Sequence, residues 1–201
     1  MEHPDWPALM AAIVADPDDD TVRLAAADFL EEHGDADRAA FIRIQVELAR
    51  LEAAGKGQNL DAIDHLRAKE RAFLGPLSVY RTLWAAEECP ELVRVVSRGG
   101  GRDPLERMTV EGAGRLTWQR GFIEGITCPA ETWARHGMAV RKRLPVRSVI
   151  LTGCDQIDRG QWYSIIPLLK KLRVVALQGA DPATGQWVKG WLVEGEELVV
   201  L

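Results

Sequence analysis

The chain has 201 residues, of which 47% are hydrophobic and 27% are charged. This composition is typical of a soluble globular protein, and it excludes disorder throughout because enough apolar surface is present to offset the entropy of the chain. The formal net charge of −5 argues against a nucleic-acid binder that depends on an overall positive charge.

Helices are predicted throughout the first third of the chain. A short first helix follows Asp5, and apolar residues at i, i+3 and i+4 spacing indicate three more at about 21–33, 38–53 and 60–74. The aspartates of the segment ADPDDD, and others before the third helix, supply the oxygens that cap helix N-termini. Because short connections favour antiparallel neighbours, we expect a small helical bundle.

The helical part is strongly acidic. Residues 1–37 contain eleven acidic residues and one basic residue, whereas residues 38–201 contain nineteen acidic and twenty-four basic residues. One interpretation is solubility and helix capping, since acids in first helical turns suit the helix dipole. The other is a polarised surface that steers a partner or docks onto the basic remainder of the chain.

The acidic segment before the second helix matches part of the ligand spacing of a calcium-binding loop. Asp16, Asp18 and Asp20 stand where an EF-hand loop has its first three ligands. However, Thr21 replaces the glycine and Ala27 replaces the bidentate glutamate of such a loop. The sequence therefore predicts no metal site.

Residues 9–48 combine several short motifs, PDDD, RL, AD, LEE, GD, RA and FIRIQ, in that order. In this pattern the stretch resembles the repeat-companion domain of planctomycete and some myxobacterial proteins. The resemblance implies a bacterial protein in which this domain accompanies repeats, often leucine-rich ones, and it implies no particular activity. The family usually has Tyr, Trp and Glu at three positions where this chain has Ala26, Phe29 and Ala40.

Opposite charges on the second and third helices face each other if the two helices pack antiparallel. Asp28, Glu31 and Glu32 lie at i, i+3 and i+4 on one face of the second helix. Arg38 and Arg43 lie on the third helix. One interpretation is an interhelical ion-pair clasp that fixes the turn. The alternative is a polar surface on which a partner docks, with these five side chains as interaction residues.

The second half of the chain alternates strand-like and helical segments. The glycine-rich tract SRGGGRDP near its start is the best candidate linker, because clustered glycines favour a loop. It lacks the GxxxxGK[ST] pattern of a phosphate-binding loop. We divide the chain into an acidic helical domain, residues 1–88, and a β/α region, residues 89–201. The predicted strands lie at about 92–96, 107–110, 115–118, 121–127, 146–151, 172–177, 186–193 and 197–201, and the predicted helices at about 130–143 and 161–171.

Two segments repeat at an offset of 26 residues, VRSVILTGC from Val146 and LRVVALQGA from Leu172. Both are similar to the core of a leucine-rich repeat, LxxLxLxx[NC], and residues 121–128 resemble a degenerate third copy. We expect each unit to add a strand to a parallel sheet and to return through a helix, with Val149 and Val175 at equivalent places on adjoining strands. The alternative is an ordinary α/β layer with coincidental similarity.

The last segment, QWVKGWLVEGEELVVL, predicts a β-hairpin that turns near Glu194–Gly195. Such a hairpin caps the open end of the sheet, or its edge accepts a strand from a partner. The predicted fold class is therefore α+β: an N-terminal helical bundle followed by a short, irregular leucine-rich-repeat-like β/α layer with a C-terminal β-hairpin.

The strongest basic cluster is the run RKRLPVR at 141–147. Residues 170–173 occupy a comparable place one unit later, so stacked units align both groups in a basic stripe. One interpretation places both basic groups at the C-terminal ends of helices, where cations interact favourably with the helix dipole. The others are contact with a nucleic acid, or docking of an acidic protein surface such as the chain's own N-terminal third. The interaction residues assigned to this run are Arg141, Lys142, Arg143 and Arg147.

The motifs predict neither an enzyme nor a bound cofactor. The three cysteines form no CxxC pair, and a couple of Cys128 or Cys154 with His136 as nucleophile and base has no local support. The four histidines lack the spacing of a zinc site. The apolar runs are shorter than the roughly 20 residues that span a membrane, and the N-terminus does not resemble a secretory signal. We expect a cytoplasmic protein with reduced thiols and no membrane association.

The predicted function is a non-enzymatic protein–protein interaction module, a scaffold or adaptor in a larger assembly. This prediction depends on the family resemblance, the repeat offset and the lack of a catalytic motif. The alternative is a nucleic-acid-associated accessory subunit that uses the basic stripe at 141–147 and 170–173. The expected partner is thus another protein or, in the alternative, a nucleic acid.

Overall fold

A computed structural model describes residues 3–54, 59–75, 79–97, 108–112, 115–192 and 197–201. Its helices are α1 (Trp6–Ala15), α2 (Asp20–Glu32), α3 (Ala36–Ala53), α4 (Leu60–Leu74), α5 (Val79–Glu88), α6 (Ala130–Arg143), α7 (Arg159–Ile165) and α8 (Pro182–Lys189). Its strands are β1 (Val93–Ser97), β2 (Met108–Gly112), β3 (Arg115–Gln119), β4 (Phe122–Pro129), β5 (Ser148–Thr152), β6 (Val174–Leu177) and β7 (Glu197–Val200). The predicted α+β class is confirmed.

Side-chain caps mark where α2 and α3 begin. The carboxylate of Asp19 accepts a hydrogen bond from the N–H of Thr21 at 2.8 Å, and that of Asp35 accepts one from the N–H of Arg38 at 3.1 Å. Between α2 and α3, Gly34 has a φ of +88°, a conformation that favours glycine. The predicted second, third and fourth helices are accordingly present as α2, α3 and α4.

Five strands form one sheet in the order β3-β4-β5-β6-β7, and β1 pairs with β2 in a separate antiparallel ribbon. β3 and β4 are antiparallel, whereas the other neighbours are parallel. Parallel neighbours need a crossover, which α6, α7 and α8 supply. Val149 pairs with Val175, in agreement with the 26-residue offset of the two segments. The likeness to leucine-rich repeats stays a prediction.

The predicted C-terminal β-hairpin is wrong. The first part of that segment, through Lys189, belongs to helix α8, and β7 pairs in parallel with β6. The carboxylate of Asp181 accepts hydrogen bonds from the N–H groups of Ala183 at 2.9 Å and Thr184 at 3.0 Å. These hydrogen bonds start a helix where the aromatic and β-branched residues of QWVKGWLV predict a strand. The turn predicted at Glu194–Gly195 and the glycine-rich tract after Ser97 lie outside the described residues.

Two apolar clusters join the helices to the sheet, and each of them contains residues of both. The ring centroids of Phe41 in α3, Trp84 in α5 and Trp118 in β3 lie 5.3, 5.8 and 6.3 Å apart. Gly121, between β3 and β4, allows the turn to lie close to α3. A Cβ at this position would lie 2.4 Å from Cγ1 of Ile42. Side chains from both predicted domains thus pack together, and the division of the chain into those domains stays a prediction.

Candidate functional site

The predicted clasp between α2 and α3 forms around Arg43. Its guanidinium contacts Asp28 at 2.7 Å and Glu31 at 2.6 Å, whereas Glu32 is exposed on the same helix. The hydrogen bonds that Arg43 donates to these two carboxylates raise the pKa of Arg43. Because Arg43 is 37% exposed and its partners 68% and 56%, solvent screens the clasp, which contributes about 0–1 kcal/mol.

Arg38, the second arginine assigned to this clasp, has a different partner. Its side chain is 4% exposed, and its Nη2 donates to Oε1 of Glu88 at the end of α5. Its Cζ lies 4.6 Å from the ring centroids of both Trp84 and Trp118, so aromatic faces flank the cation. Sequence spacing does not indicate this pair, because Arg38 and Glu88 are 50 residues apart.

The Arg38–Glu88 pair is a buried ion pair whose polar atoms are not all hydrogen-bonded. Burial raises the pKa of Glu88 to about 7, although the charge of Arg38 and, more weakly, the N–H of Ile123 work in the opposite direction. The Nη1 atom of Arg38 is buried and has no hydrogen-bond partner among the described residues. A buried donor without a partner costs about 1–3 kcal/mol. Packing of the core alone would not require a buried arginine with an unpartnered donor at this position.

A cleft of about 330 Å³ lies beside this pair, among α1, α2, α3, α5 and α6. It brings together three of the predicted interaction residues, Arg38, Lys142 and Arg143, which are distant in sequence. The sequence does not indicate the cleft, because its walls come from five separate helices. The apolar walls include Trp6, Met10, Leu30, Trp84 and Leu144, and the charged lining consists of Asp35, Arg38, Glu87, Glu88, Lys142 and Arg143.

Two arginines at the end of α6 are engaged within the chain. Arg141 donates to the carbonyl of Leu168 at 3.0 Å, and Arg143 donates to a carboxylate oxygen of Glu91 at 2.6 Å. The hydrogen bond from Arg143 lowers the pKa of Glu91. Lys142 is exposed at the rim of the cleft. Contacts within the chain thus engage much of the positive charge at the end of α6.

Arg147 and Arg173, from successive units of the sheet, converge on Asp18 of the acidic N-terminal part. The Asp18 carboxylate lies 2.9 Å from Nη2 of Arg147, 2.5 Å from Nη2 of Arg173 and 3.3 Å from Nη1 of Arg120. Partial desolvation favours the protonated form, but these three guanidinium groups outweigh it and lower the pKa of Asp18. Part of the acidic N-terminal third therefore docks onto the chain's own basic residues, which is one of the predicted interpretations.

Arg23 and Glu124 extend this row of charges into the interior. Arg23 is fully buried; its Nη2 donates to Oε1 of Glu124 at 2.7 Å, and its guanidinium also donates to three backbone carbonyl groups. Glu124, Arg147 and Arg173 each immediately precede a register-paired residue of β4, β5 and β6, so they lie side by side at one end of the sheet. The row holds the α1–α2 turn against the sheet.

Three aromatic side chains form an exposed cluster beside α7 and α8, which we term the aromatic surface. The ring centroids of Tyr163, Trp187 and Trp191 lie 5.5–6.3 Å apart, and the rings are close to perpendicular. Tyr163 is 57% exposed and Trp191 is 46% exposed, and Cζ of Arg159 lies 5.1 Å from the Trp187 ring centroid. The i and i+4 spacing of the two tryptophans could have indicated this cluster, had the segment been interpreted as helical.

The three cysteines are buried, and each is at most 3% exposed. Burial raises the pKa of Cys89 and of Cys128 to about 12 and that of Cys154 to about 11. Cys128 and Cys154 are therefore protonated at neutral pH and lack the thiolate that a nucleophile requires. Among the described residues, no group of three or more His, Cys, Asp or Glu side chains is arranged to hold a metal ion.

Comparisons with protein-family models, with curated proteins and with solved structures found no match for this chain. The resemblance of residues 9–48 to the repeat-companion domain accordingly stays a prediction. Within the ranges that the structure describes, none of the helices combines the length and the apolar character needed to cross a membrane.

Proposed function

We propose that the protein is a non-enzymatic interaction module, a cytoplasmic scaffold or adaptor, and that it binds another protein through the aromatic surface. The supporting observation is that Tyr163 and Trp191 contact each other while about half of each side chain stays exposed. Clustered, exposed apolar side chains are characteristic of interaction sites. Tyrosine, tryptophan and arginine are also enriched among the residues that dominate binding energies.

The geometry of the aromatic surface favours a particular kind of partner. Perpendicular rings present both faces and edges, against which aliphatic and aromatic side chains pack well. Arg159, above the ring of Trp187, adds a cation that can pair with an acidic residue of the partner. We therefore expect a protein surface with one or more large apolar side chains and an acidic residue nearby.

The basic stripe gives less support to the alternative, a nucleic-acid-associated subunit. Arg147 is 11% exposed and, like Arg173, contacts Asp18, while Arg143 pairs with Glu91. Cations that are neutralised within the chain contribute little to the counterion release that drives phosphate binding. A titration with single-stranded and duplex DNA at two salt concentrations tests this alternative. Binding that weakens steeply with salt would favour it, and no binding at low salt would exclude it.

A capture experiment with matched variants tests the proposed function. The tagged protein is incubated with nuclease-treated native lysate, and the retained proteins are compared with those retained by a Tyr163→Ser/Trp191→Ser double variant. Because both side chains are exposed, we expect the double variant to fold normally, as circular dichroism would verify. We expect it to lose a protein that the original chain retains in stoichiometric amount.

Met138→Ser is the matched control, because Met138 is 53% exposed on α6 and contributes to neither the aromatic surface nor the cleft lining. The control should retain the same protein as the original chain. Loss of the partner from both variants, or retention by both, would contradict a role of the aromatic surface.

A further inference from the structure

We infer that the cleft among α1, α2, α3, α5 and α6 is a binding site for an uncharged small molecule that has an apolar body and a hydrogen-bond acceptor. The cleft and the aromatic surface share no residue, so this inference does not depend on the proposed function. It is argued from the size of the cleft, its walls, the buried Arg38 and the balance of charge around it.

The size and the walls of the cleft suit a compact apolar body. Its volume of about 330 Å³ lies at the lower end of ligand pockets, which span about 300–1,000 Å³. Two indole rings, those of Trp6 and Trp84, contribute to the lining together with the aliphatic Met10 and Leu144. Such walls favour a flat ring system or a short aliphatic chain, because burial of apolar area supplies the main binding energy.

Two polar atoms of residues in the lining are buried and have no hydrogen-bond partner among the described residues, Nη1 of Arg38 and Oε2 of Glu88. Arg38 is 4% exposed, and its Nη1 has no hydrogen-bond partner among the described residues, while its Nη2 is bound to Glu88. A carbonyl, ether or hydroxyl oxygen on a ligand would provide the missing acceptor. A hydrogen bond to a charged donor is stronger than one between neutral groups, so this contact would orient the ligand as well as stabilise it.

The balance of charge in the lining favours a ligand without net charge. A charged ligand must lose its hydration on entering an apolar cleft, and this cost is recovered only beside an excess of opposite charge. Even with Glu88 partly protonated near pH 7, the cleft offers an excess of less than one charge. Its lining contains three acidic residues, Asp35, Glu87 and Glu88, and three basic residues, Arg38, Lys142 and Arg143.

Prodan, an uncharged naphthalene ketone whose emission shifts to shorter wavelength in apolar surroundings, is a suitable probe. We expect saturable one-to-one binding to the full chain. Three competitors with the same ring system then test the charge preference: 2-acetonaphthone, 2-naphthalenesulfonate and 2-naphthylmethylammonium. The neutral ketone should displace prodan, and the two charged compounds should be weaker competitors by at least about tenfold, which is 1.4 kcal/mol.

Variants at the mouth of the cleft locate the bound probe. Ala11 is exposed and lines the cleft, so Ala11→Trp should obstruct it and weaken prodan binding by at least about tenfold. Ala12→Trp is the matched control, because Ala12 is exposed on the same helix but lies outside the lining. A second pair on α6, Lys142→Trp with Met138→Trp as its control, serves if the first pair folds poorly.

Four results would overturn the inference, and three of them concern the cleft and its ligands. These are the absence of saturable prodan binding to the original chain, equal binding by the cleft variants and their controls, and displacement by the sulfonate or the ammonium compound as strong as by the ketone. Loss of prodan binding in the Tyr163→Ser/Trp191→Ser variant alone would assign the probe to the aromatic surface and would also overturn it, without bearing on the proposed protein partner.

Discussion

Arg23 and Arg43 both bind carboxylates, but they do so in opposite environments. Arg23 is fully buried against Glu124, which is 3% exposed, whereas Arg43 and its partners are 37–68% exposed. Solvent screens the exposed pairs, so their loss costs little. Removal of one member of the buried pair leaves the charge of Glu124 in the interior, with Arg147 at 3.3 Å as its remaining close cation.

We therefore expect Arg23→Met to lower the free energy of unfolding by about 3 kcal/mol or more. Arg43→Met, which removes the exposed clasp with a side chain of similar length, should lower it by about 0–1 kcal/mol. Urea unfolding followed by circular dichroism measures both values. A loss for Arg23→Met no larger than that for Arg43→Met would show that the interior row of charges is not required for stability.

The raised pKa of Glu88 predicts a dependence of stability on pH. Its pKa is 4.5 as an ordinary side chain and about 7 in the folded protein, so the folded state holds the proton more tightly. The stability that Glu88 contributes is therefore fully present below pH 4.5 and is lost as the pH rises towards 7. The difference in unfolding free energy between the original chain and Glu88→Gln, which cannot titrate, should decrease across this range.

The decrease should be on the order of 3 kcal/mol, at about 1.4 kcal/mol per pKa unit. Subtracting the unfolding free energy of Glu88→Gln from that of the original chain removes the contribution of groups that titrate alike in both proteins. Chemical unfolding at intervals between pH 4.5 and 8 measures it. A difference that stays constant, or that increases with pH, would mean that Arg38 keeps Glu88 ionised throughout.

At the scale of elements, the turn between β3 and β4 shows how a backbone position controls packing. Gly121 has a φ of +89°, and an added Cβ would lie 2.4 Å from Cγ1 and 2.8 Å from Cα of Ile42. A backbone atom is among these contacts, so rotation of a side chain cannot relieve them. Gly34 has almost the same φ, +88°, but nothing lies within 4 Å of an added Cβ.

Gly121→Ala should thus destabilise the protein by about 1–3 kcal/mol more than Gly34→Ala does, because overpacking adds to a similar conformational cost. The two variants share the unfavourable φ, so their comparison isolates the contact with Ile42. Thermal and urea unfolding of both variants provide the measurement. Equal losses would show that the turn moves freely away from α3.

Elements that depend on local signals could be predicted from the sequence, and contacts between distant elements could not. Caps and apolar spacing predicted α2, α3 and α4, and the repeat offset predicted that Val149 and Val175 adjoin. The hairpin was wrong because apolar residues in QWVKGWLV fit both a strand and a helix, and the cap at Asp181 decides between them. The Arg38–Glu88 pair joins positions 50 residues apart, a contact that only the packing of α3 against α5 creates.

At the scale of the whole molecule, the helices and the sheet depend on each other for burial. The same apolar core contains Phe41 of α3, Trp84 of α5 and residues of β4, β5 and β6. The row of charges from Arg23 to Arg173 adds a second connection between the acidic N-terminal part and the sheet. Neither part can expose its inner face to water without losing apolar burial, which predicts that both unfold in one cooperative transition.

Thiol reactivity provides a test of this cooperativity, because Cys89, Cys128 and Cys154 all belong to the shared core. Burial raises their pKa values to about 11–12, so the folded protein should expose no thiol that reacts rapidly with Ellman's reagent at about pH 8. In urea, the three thiols should become reactive at the concentration at which circular dichroism reports loss of the helices. If Cys128 in β4 or Cys154 after β5 reacts while the helices remain intact, the sheet opens independently of them and the two parts of the chain are separate cooperative units.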